Sequence, residues 1–150
     1  MSNSPGISGP SPFEEQRQMY ELLSQETRHL ICQFILAHPA HLPSLDELAY
    51  LIPKNKASIN EQLERLIAEG IVARYEHPPN ADRRDLPTVF YGLTEYGVDV
   101  LEQYNYLSGL PVVRTLYDNT RLSPQAKRHR DAPRPTLPAA VEDVLSLPTE

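Results

Sequence analysis

The sequence has few of the residues that build disulfide-linked or membrane-spanning proteins. Cys32 is the only cysteine among 150 residues, which excludes an internal disulfide and a cysteine-rich zinc site. No apolar run reaches the length of about 18 residues that a transmembrane helix needs. The N-terminus carries neither the basic region nor the apolar stretch of a signal peptide. These absences favour a protein of the reducing cytoplasm.

Lysine is also scarce, with three lysines against eleven arginines, and the net charge is −6. This acidic, lysine-poor composition favours a salt-loving, archaeal source, because solvated carboxylates keep proteins soluble at high salt. A negative net charge weighs against nucleic-acid binding. However, Arg114 to Arg134 include six basic and two acidic residues, and Lys54 and Lys56 lie together in the acidic first half. The distribution of charge therefore leaves a DNA-binding role open.

The chain divides into three parts by composition. Proline, glycine and serine dominate residues 1–12, which are predicted to form a disordered leader. Apolar residues recur at helical spacing from residue 13, and 13–118 are predicted to fold as one domain. Residues 119–150 are rich in proline and arginine and are predicted to form a flexible tail. A short helix at 139–147, which could dock on a partner, is the alternative for the end of that tail.

Local signals divide the domain into helices and a hairpin. Ser24 is a candidate start for a second helix. Ser44-Leu45-Asp46-Glu47 is a capping box that predicts a helix ending at Pro53. The next predicted helix covers 56–69 and ends at Gly70, which is expected in a left-handed conformation.

The second half of the domain begins with two predicted strands. They cover 71–75 and 88–93 and flank a polar loop that carries Arg83 and Arg84. Thr94 is predicted to cap a helix after the second strand, and a short helix follows at 110–117. From the second helix to the helix capped by Thr94, the order of elements is therefore helix, helix, turn, helix, strand, loop, strand, helix.

Three segments carry a resemblance to a known family. They are LSQETRHLI at 23–31, LERLIAEGIV at 63–72 and YGLTEYG at 91–97. In this order they resemble the motifs L-S-x-x-T-R-x-x-I, L-x-x-L-x-x-x-G-L-V and Y-x-L-T-x-x-G of winged helix-turn-helix repressors of the arsenical-resistance-repressor (ArsR-like) type. The resemblance covers about residues 20–107. It implies a mainly α fold with a small β-hairpin wing, acting as a homodimer on double-stranded DNA.

The resemblance also implies which residues contact DNA. The N-terminal half of the helix 56–69 would enter the major groove, and the hairpin loop would reach neighbouring phosphates. Asparagine and glutamine can read adenine edges, whereas Glu61 and Glu64 would repel phosphate. The implied DNA-binding residues are Lys54, Lys56, Ser58, Asn60, Gln62, Arg83 and Arg84.

A homodimer of this type is expected to form through the helices after the hairpin. Tyrosine and aliphatic side chains in that region could supply the contact. The predicted interface residues are Tyr104, Leu107, Leu110, Val113, Leu116 and Tyr117.

Catalytic and sensing signatures are missing from the sequence. No Ser-His-Asp set, glycine-rich phosphate loop or carboxylate pair is evident, and the five histidines show no ligand spacing. No enzyme activity, cofactor, metal or small-molecule effector is therefore expected. The prediction is a sequence-specific transcriptional regulator that binds duplex DNA. The alternative is a winged-helix protein-interaction module of the replication, chromosome or transcription machinery, which the negative charge and Glu61 and Glu64 favour.

Overall fold

The computed structural model describes residue 9 and residues 11–78 and 85–146. Most of the predicted leader, residues 1–8 and residue 10, lies outside this part, and Pro12 already belongs to the first helix. A short 3-10 turn at Leu107–Gly109 separates the fifth and sixth helices. The other elements, in chain order, are α1 Pro12–Ser24, α2 Glu26–Ala37, α3 Leu45–Leu51, α4 Lys56–Ala68, β1 Val72–Glu76, β2 Val89–Leu93, α5 Glu95–Gln103, α6 Leu110–Asp118, α7 Pro124–Arg130 and α8 Ala139–Leu145.

The boundary between α1 and α2 lies one residue later than the sequence suggests. Ser24 was the expected cap of α2, but it is the last residue of α1. Gln25 has an extended backbone, and its side-chain oxygen accepts a hydrogen bond from the Arg28 N–H at 2.9 Å. Gln25 therefore caps α2, because it is the residue that stands outside both helices.

The helix-turn-helix consists of α3 and α4. The predicted capping box is confirmed, since the Glu47 N–H donates to Ser44 Oγ at 3.2 Å and the Ser44 N–H donates to Glu47 Oε1 at 3.0 Å. After the turn, Asn55 caps α4 by accepting from the Ser58 N–H at 2.8 Å. The buried residues of α4 face α2 and α3, and they are Ile59, Leu63 and Leu66.

The hairpin follows α4 directly. Gly70 has a φ of +80° and ends α4 in the left-handed conformation that the sequence predicts. Strands β1 and β2 pair antiparallel, with Val72 opposite Leu93 and Glu76 opposite Val89. The Tyr91 N–H also donates to the Pro43 carbonyl at 2.9 Å, so the chain before α3 lies along the outer edge of β2.

The start of α5 packs directly on the end of α4. Thr94 Oγ1 accepts from the Gly97 N–H at 2.8 Å and donates to the Gly70 carbonyl at 2.5 Å. A Cβ atom at Gly97 would lie 2.1 Å from the Ile71 carbonyl oxygen. Threonine and glycine in the LTEYG segment therefore have distinct structural roles. The threonine hydroxyl joins the start of α5 to the end of α4, and the glycine allows the two backbones to approach closely.

The C-terminal segment does not match the prediction of a flexible tail at 119–150. Within the described residues it forms α7, which packs on α3, and α8, which packs on α5. The side chains of Leu137, Val141 and Leu145 join the main hydrophobic core. The prediction from composition is wrong for this segment. Its arginines and prolines are typical of a solvated tail, but the buried side chain of Arg134 anchors the segment to Glu47 on α3. The alternative of a helix near the end of the chain agrees with α8.

A buried histidine lies in the connection between α2 and α3. His41 is 6% exposed, and its Nδ1 donates to the Ile35 carbonyl at 3.1 Å while its Nε2 accepts from the Arg114 guanidinium at 3.0 Å. This pair of contacts requires the neutral imidazole. Burial, the largest cause, lowers the pKa of His41 from 6.5 to about 4.

We expect the free energy of unfolding to decrease as the pH falls from about 6.5 towards 4. In that window the unfolded chain protonates His41 and the folded chain does not, so acid favours unfolding. The expected loss attributable to His41 is about 1–2 kcal/mol at about pH 5. Urea unfolding at neutral and acidic pH should show a weaker pH dependence in His41→Asn, because asparagine tolerates the φ of 57° at this position. A His77→Asn control should keep the wild-type pH dependence, and an equal dependence in wild type and His41→Asn would contradict the assignment.

Candidate nucleic-acid interface

The side of α4 opposite its buried residues is free of packing within the described chain. Its most exposed positions are Ala57, Glu61, Arg65 and Ala68, which follow one another at spacings of four, four and three residues. Such spacing places them on one ridge of the helix. A groove in DNA would therefore meet Glu61 near the centre of this ridge.

The predicted base-reading residues lie beside that ridge. Ser58 and Asn60 are half-buried on its two flanks. Gln62 turns towards α2, where its side-chain oxygen accepts a hydrogen bond from the Arg28 guanidinium at 2.6 Å. Arg28 is itself fixed by donating to the Leu22 carbonyl at 2.6 Å. Gln62 is therefore held by an intrachain contact, while Asn60 remains at the edge of the open face.

The predicted phosphate-binding lysines each pair with a carboxylate. Lys54 Nζ lies 3.4 Å from Glu26 Oε1, and Lys56 pairs with Asp46 at the start of α3. The hydrogen bond to Asp46 raises the pKa of Lys56, so its positive charge is maintained. Both pairs are exposed, and exposed ion pairs contribute only about 0–1 kcal/mol. A DNA phosphate could therefore take the place of either carboxylate at small cost.

Two arginines extend this pattern and were missed in the sequence. Arg65 lies 3.3 Å from Glu69, and Arg74 on β1 pairs with Glu64 on α4. Arg74 is exposed on β1, and it lines a groove of about 340 Å³ between the start of α3 and the hairpin. Alternation along the strand could have identified Arg74, but its partner on α4 could not be read from the sequence. Basic and acidic side chains are thus nearly balanced across the described face.

Arg83 and Arg84 lie outside the described residues. Their role in DNA contact stays a prediction.

The predicted dimer residues fall into three groups. Leu110 and Tyr117 are 1% and 6% exposed and pack inside the chain, because α6 lies against α2. The prediction that they form a dimer contact is therefore wrong, because they are core residues of the single chain. Leu116 is 63% exposed and adjoins the exposed Val112, which was not among the predicted residues. The remaining residues are half-buried against the core, and they are Tyr104, Leu107 and Val113.

Within residues 11–78 and 85–146, no group of three or more histidine, cysteine, aspartate or glutamate side chains is arranged to hold a metal ion. Cys32 is fully buried, and burial raises the pKa of its thiol to about 12, so its unreactive packing role agrees with its position on α2. None of the helices in the same residues is both long and apolar enough to cross a membrane.

Comparison with known proteins supports the fold described above. No protein-family model matches the chain, and no curated protein matches it. The structure is similar to that of a protein with a GntR superfamily winged-helix-turn-helix domain from Halomicrobium mukohataei, with a TM-score of 0.78 and 24% sequence identity. The chain has the winged helix-turn-helix fold. The predicted fold class, mainly α with a β-hairpin wing, is confirmed, whereas the ArsR-like type stays a prediction.

The structural similarity extends beyond the helix-turn-helix and the hairpin. It covers 89% of this chain and 94% of the other. Residues 1–118 make up only 118 of 150 residues, about 79% of the chain, so part of the C-terminal segment must be included. The structural similarity therefore includes part of the C-terminal segment of this chain.

Proposed function

We propose that the chain is a cytoplasmic transcriptional regulator that binds duplex DNA sequence-specifically through α4 and the hairpin. The observation that carries this proposal is the open outer face of α4, which is held by α3 and flanked by the two-stranded wing. In this geometry the second helix of the pair enters the major groove while the first supports it across the backbone. The winged-helix fold of the similar structure adds support.

Specific contacts would come from the first two turns of α4. Asn60 can offer its amide to an adenine edge, and the carboxylate of Glu61 can accept from the amino group of cytosine. Lys54 and Lys56 would bind phosphates on either side of the groove after releasing their carboxylate partners. The acidic residues on the face reduce attraction to DNA of any sequence, so discrimination would depend more strongly on base contacts.

We propose that two copies act together. A two-fold dimer would present its two α4 helices about 34 Å apart, in successive major grooves. The exposed apolar pair Val112 and Leu116 on α6 supports a contact surface there, in place of the buried Leu110 and Tyr117. The operator is then expected to consist of two symmetric half-sites.

A second candidate function is a winged-helix module that binds protein. It is favoured by the central position of Glu61 on the open face and by the carboxylate partners of Lys54 and Lys56. The partner would present a basic surface to Glu61 and to the carboxylates of Glu26 and Asp46, which pair with the two lysines. Duplex selection distinguishes the two candidates.

Selection from a pool of random duplexes tests the regulator directly. The full chain is expected to enrich a symmetric pair of half-sites, and Asn60→Ala should lose about tenfold or more in affinity for the enriched duplex, since a bidentate base contact contributes about 1–3 kcal/mol. Gln103→Ala, at the exposed end of α5, is the matched amide control and should bind like wild type. Failure to enrich any duplex, at low salt and at molar salt alike, would contradict the regulator and leave the protein-binding module.

A further inference from the structure

We propose that α7 is a second DNA-contacting element, which binds backbone phosphates beside the helix-turn-helix through Lys127 and Arg128. The inference rests on the proposed function, because it adds phosphate contacts on the same duplex. Three observations carry it: the anchoring of α7, the direction of its two cations, and its position between α4 and the wing.

The helix α7 is fixed in place by Arg134. The Arg134 side chain is only 7% exposed, and its guanidinium pairs with the buried carboxylate of Glu47 on α3. It lies over the Phe90 ring with its central carbon 4.6 Å from the ring centroid. It also donates to four backbone carbonyls at 2.7–3.1 Å, those of Leu42, His129, Arg130 and Ala132. Two of these carbonyls belong to the last turn of α7, so the guanidinium both caps this short helix and joins it to α3.

The docked helix turns its cations to solvent. Ala126 and His129 are buried on the side that faces α3, and Lys127 and Arg128 straddle the opposite side. Lys127 forms no ion pair with any carboxylate that the structure describes, and Arg128 lies 2.6 Å from Asp85 in an exposed pair. Such a pair is weak in water, so a phosphate can replace Asp85.

The helix α7 lies close to both parts of the proposed DNA-binding surface, the start of α4 and the hairpin. Asp46 pairs with Lys56 of α4 through Oδ1, while its Oδ2 lies 3.8 Å from Nδ1 of His129 on α7. On its other side, α7 contacts Asp85 through Arg128, and Asp85 lies in the connection between the two strands, shortly before β2 begins at Val89. The helix therefore occupies the surface between the first turn of α4 and the base of the wing. A duplex that contacts both would pass the outward face of α7.

Contacts of this kind position DNA without reading its sequence. Because Arg134 already holds α7 in place, little backbone conformational entropy is lost when phosphates bind there. The C-terminal segment is expected to strengthen binding to every duplex by a similar factor. It would also partly offset the repulsion from the acidic residues of α4.

The test compares the salt dependence of duplex binding in matched variants of the full chain. Log affinity falls as log salt rises, and each phosphate contact contributes about 0.9 to the steepness of this fall. In Lys127→Gln/Arg128→Gln, the fall should therefore be less steep by about 1.8. Affinity at about 0.1 M salt should fall tenfold or more for every duplex tested. Lys127→Gln alone should show about half the change in slope. The charge control is Arg17→Gln on α1. Arg17 lies near Arg65 and Glu69, at the opposite end of α4 from Lys56, so this variant should keep the wild-type affinity and salt dependence.

The outcomes separate this inference from the proposed function. If wild type binds duplex DNA and both α7 variants keep the wild-type slope and affinity, the contact by α7 is overturned and the regulator stands. If Arg17→Gln causes the same loss as the α7 variants, the effect is one of net charge and the inference is likewise overturned. If wild type binds no duplex, the proposed function fails and this inference fails with it.

Discussion

Replacing Arg134 with methionine is expected to destabilise the fold by about 3–5 kcal/mol, the usual cost of removing one partner from a buried ion pair. The pair consists of Arg134 and Glu47, whose side chains are 7% and 4% exposed. Without the guanidinium, the carboxylate of Glu47 keeps only His38 Nε2 at 2.8 Å and the Ser44 N–H as polar partners. Methionine fills similar volume, so the loss reports on charge and hydrogen bonding more than on a cavity.

Urea unfolding followed by circular dichroism measures this effect. Arg130→Gln is the control, because Arg130 forms a partly exposed pair with its neighbour Asp131 and its loss should cost at most about 0.5 kcal/mol. A double-mutant cycle with Glu47→Gln should give a coupling energy above about 1 kcal/mol, since the second change removes the unpaired charge. An Arg134→Met protein within about 1 kcal/mol of wild type would show that α7 is not anchored in this way.

Gly97→Ala is expected to destabilise the fold by about 2–4 kcal/mol, at the upper end of the range for overpacking. The added Cβ would lie 2.1 Å from the oxygen and 2.9 Å from the carbon of the Ile71 carbonyl. Because these are backbone atoms, α5 itself has to move, and the hydrogen bonds of Thr94 to Gly70 and Gly97 move with it. The clash outweighs the gain of about 1 kcal/mol that alanine usually brings within a helix.

The matched control for this change is Gly109→Ala. A Cβ at Gly109 would meet no atom within 4 Å. Its stability should therefore stay within about 0.5 kcal/mol of wild type. If Gly97→Ala unfolds at the same urea concentration as Gly109→Ala, the close approach of α5 to the end of α4 is refuted.

Local signals in the sequence were sufficient for the central elements of the fold. The capping box at Ser44, the left-handed Gly70 and the threonine cap at Thr94 each depend on residues within a few positions of one another. The 3.6-residue period gave the buried and exposed sides of α4 for the same reason. Such signals are legible because the partners are neighbours in the chain.

The features that the sequence did not reveal depend on distant partners. Arg134 is buried because Glu47, 87 positions earlier, provides its carboxylate. Gln62 turns away from the open face because Arg28, 34 positions earlier, donates to it. Tyr117 is in the core because α6 packs on α2. In each case composition or helical spacing was compatible with a solvent-exposed side chain, and only tertiary packing decided between the alternatives.

The most direct test of a DNA-binding winged helix is the affinity of the full wild-type chain for duplex DNA across a range of salt concentrations. Binding through Lys54, Lys56 and the wing predicts that log affinity falls linearly with log salt, with a slope of about 0.9 for each phosphate contacted. Single-stranded DNA should bind more weakly, because the proposed entry of α4 into a major groove requires a duplex. Absence of duplex binding at every salt concentration, or binding that does not change with salt, would contradict the account.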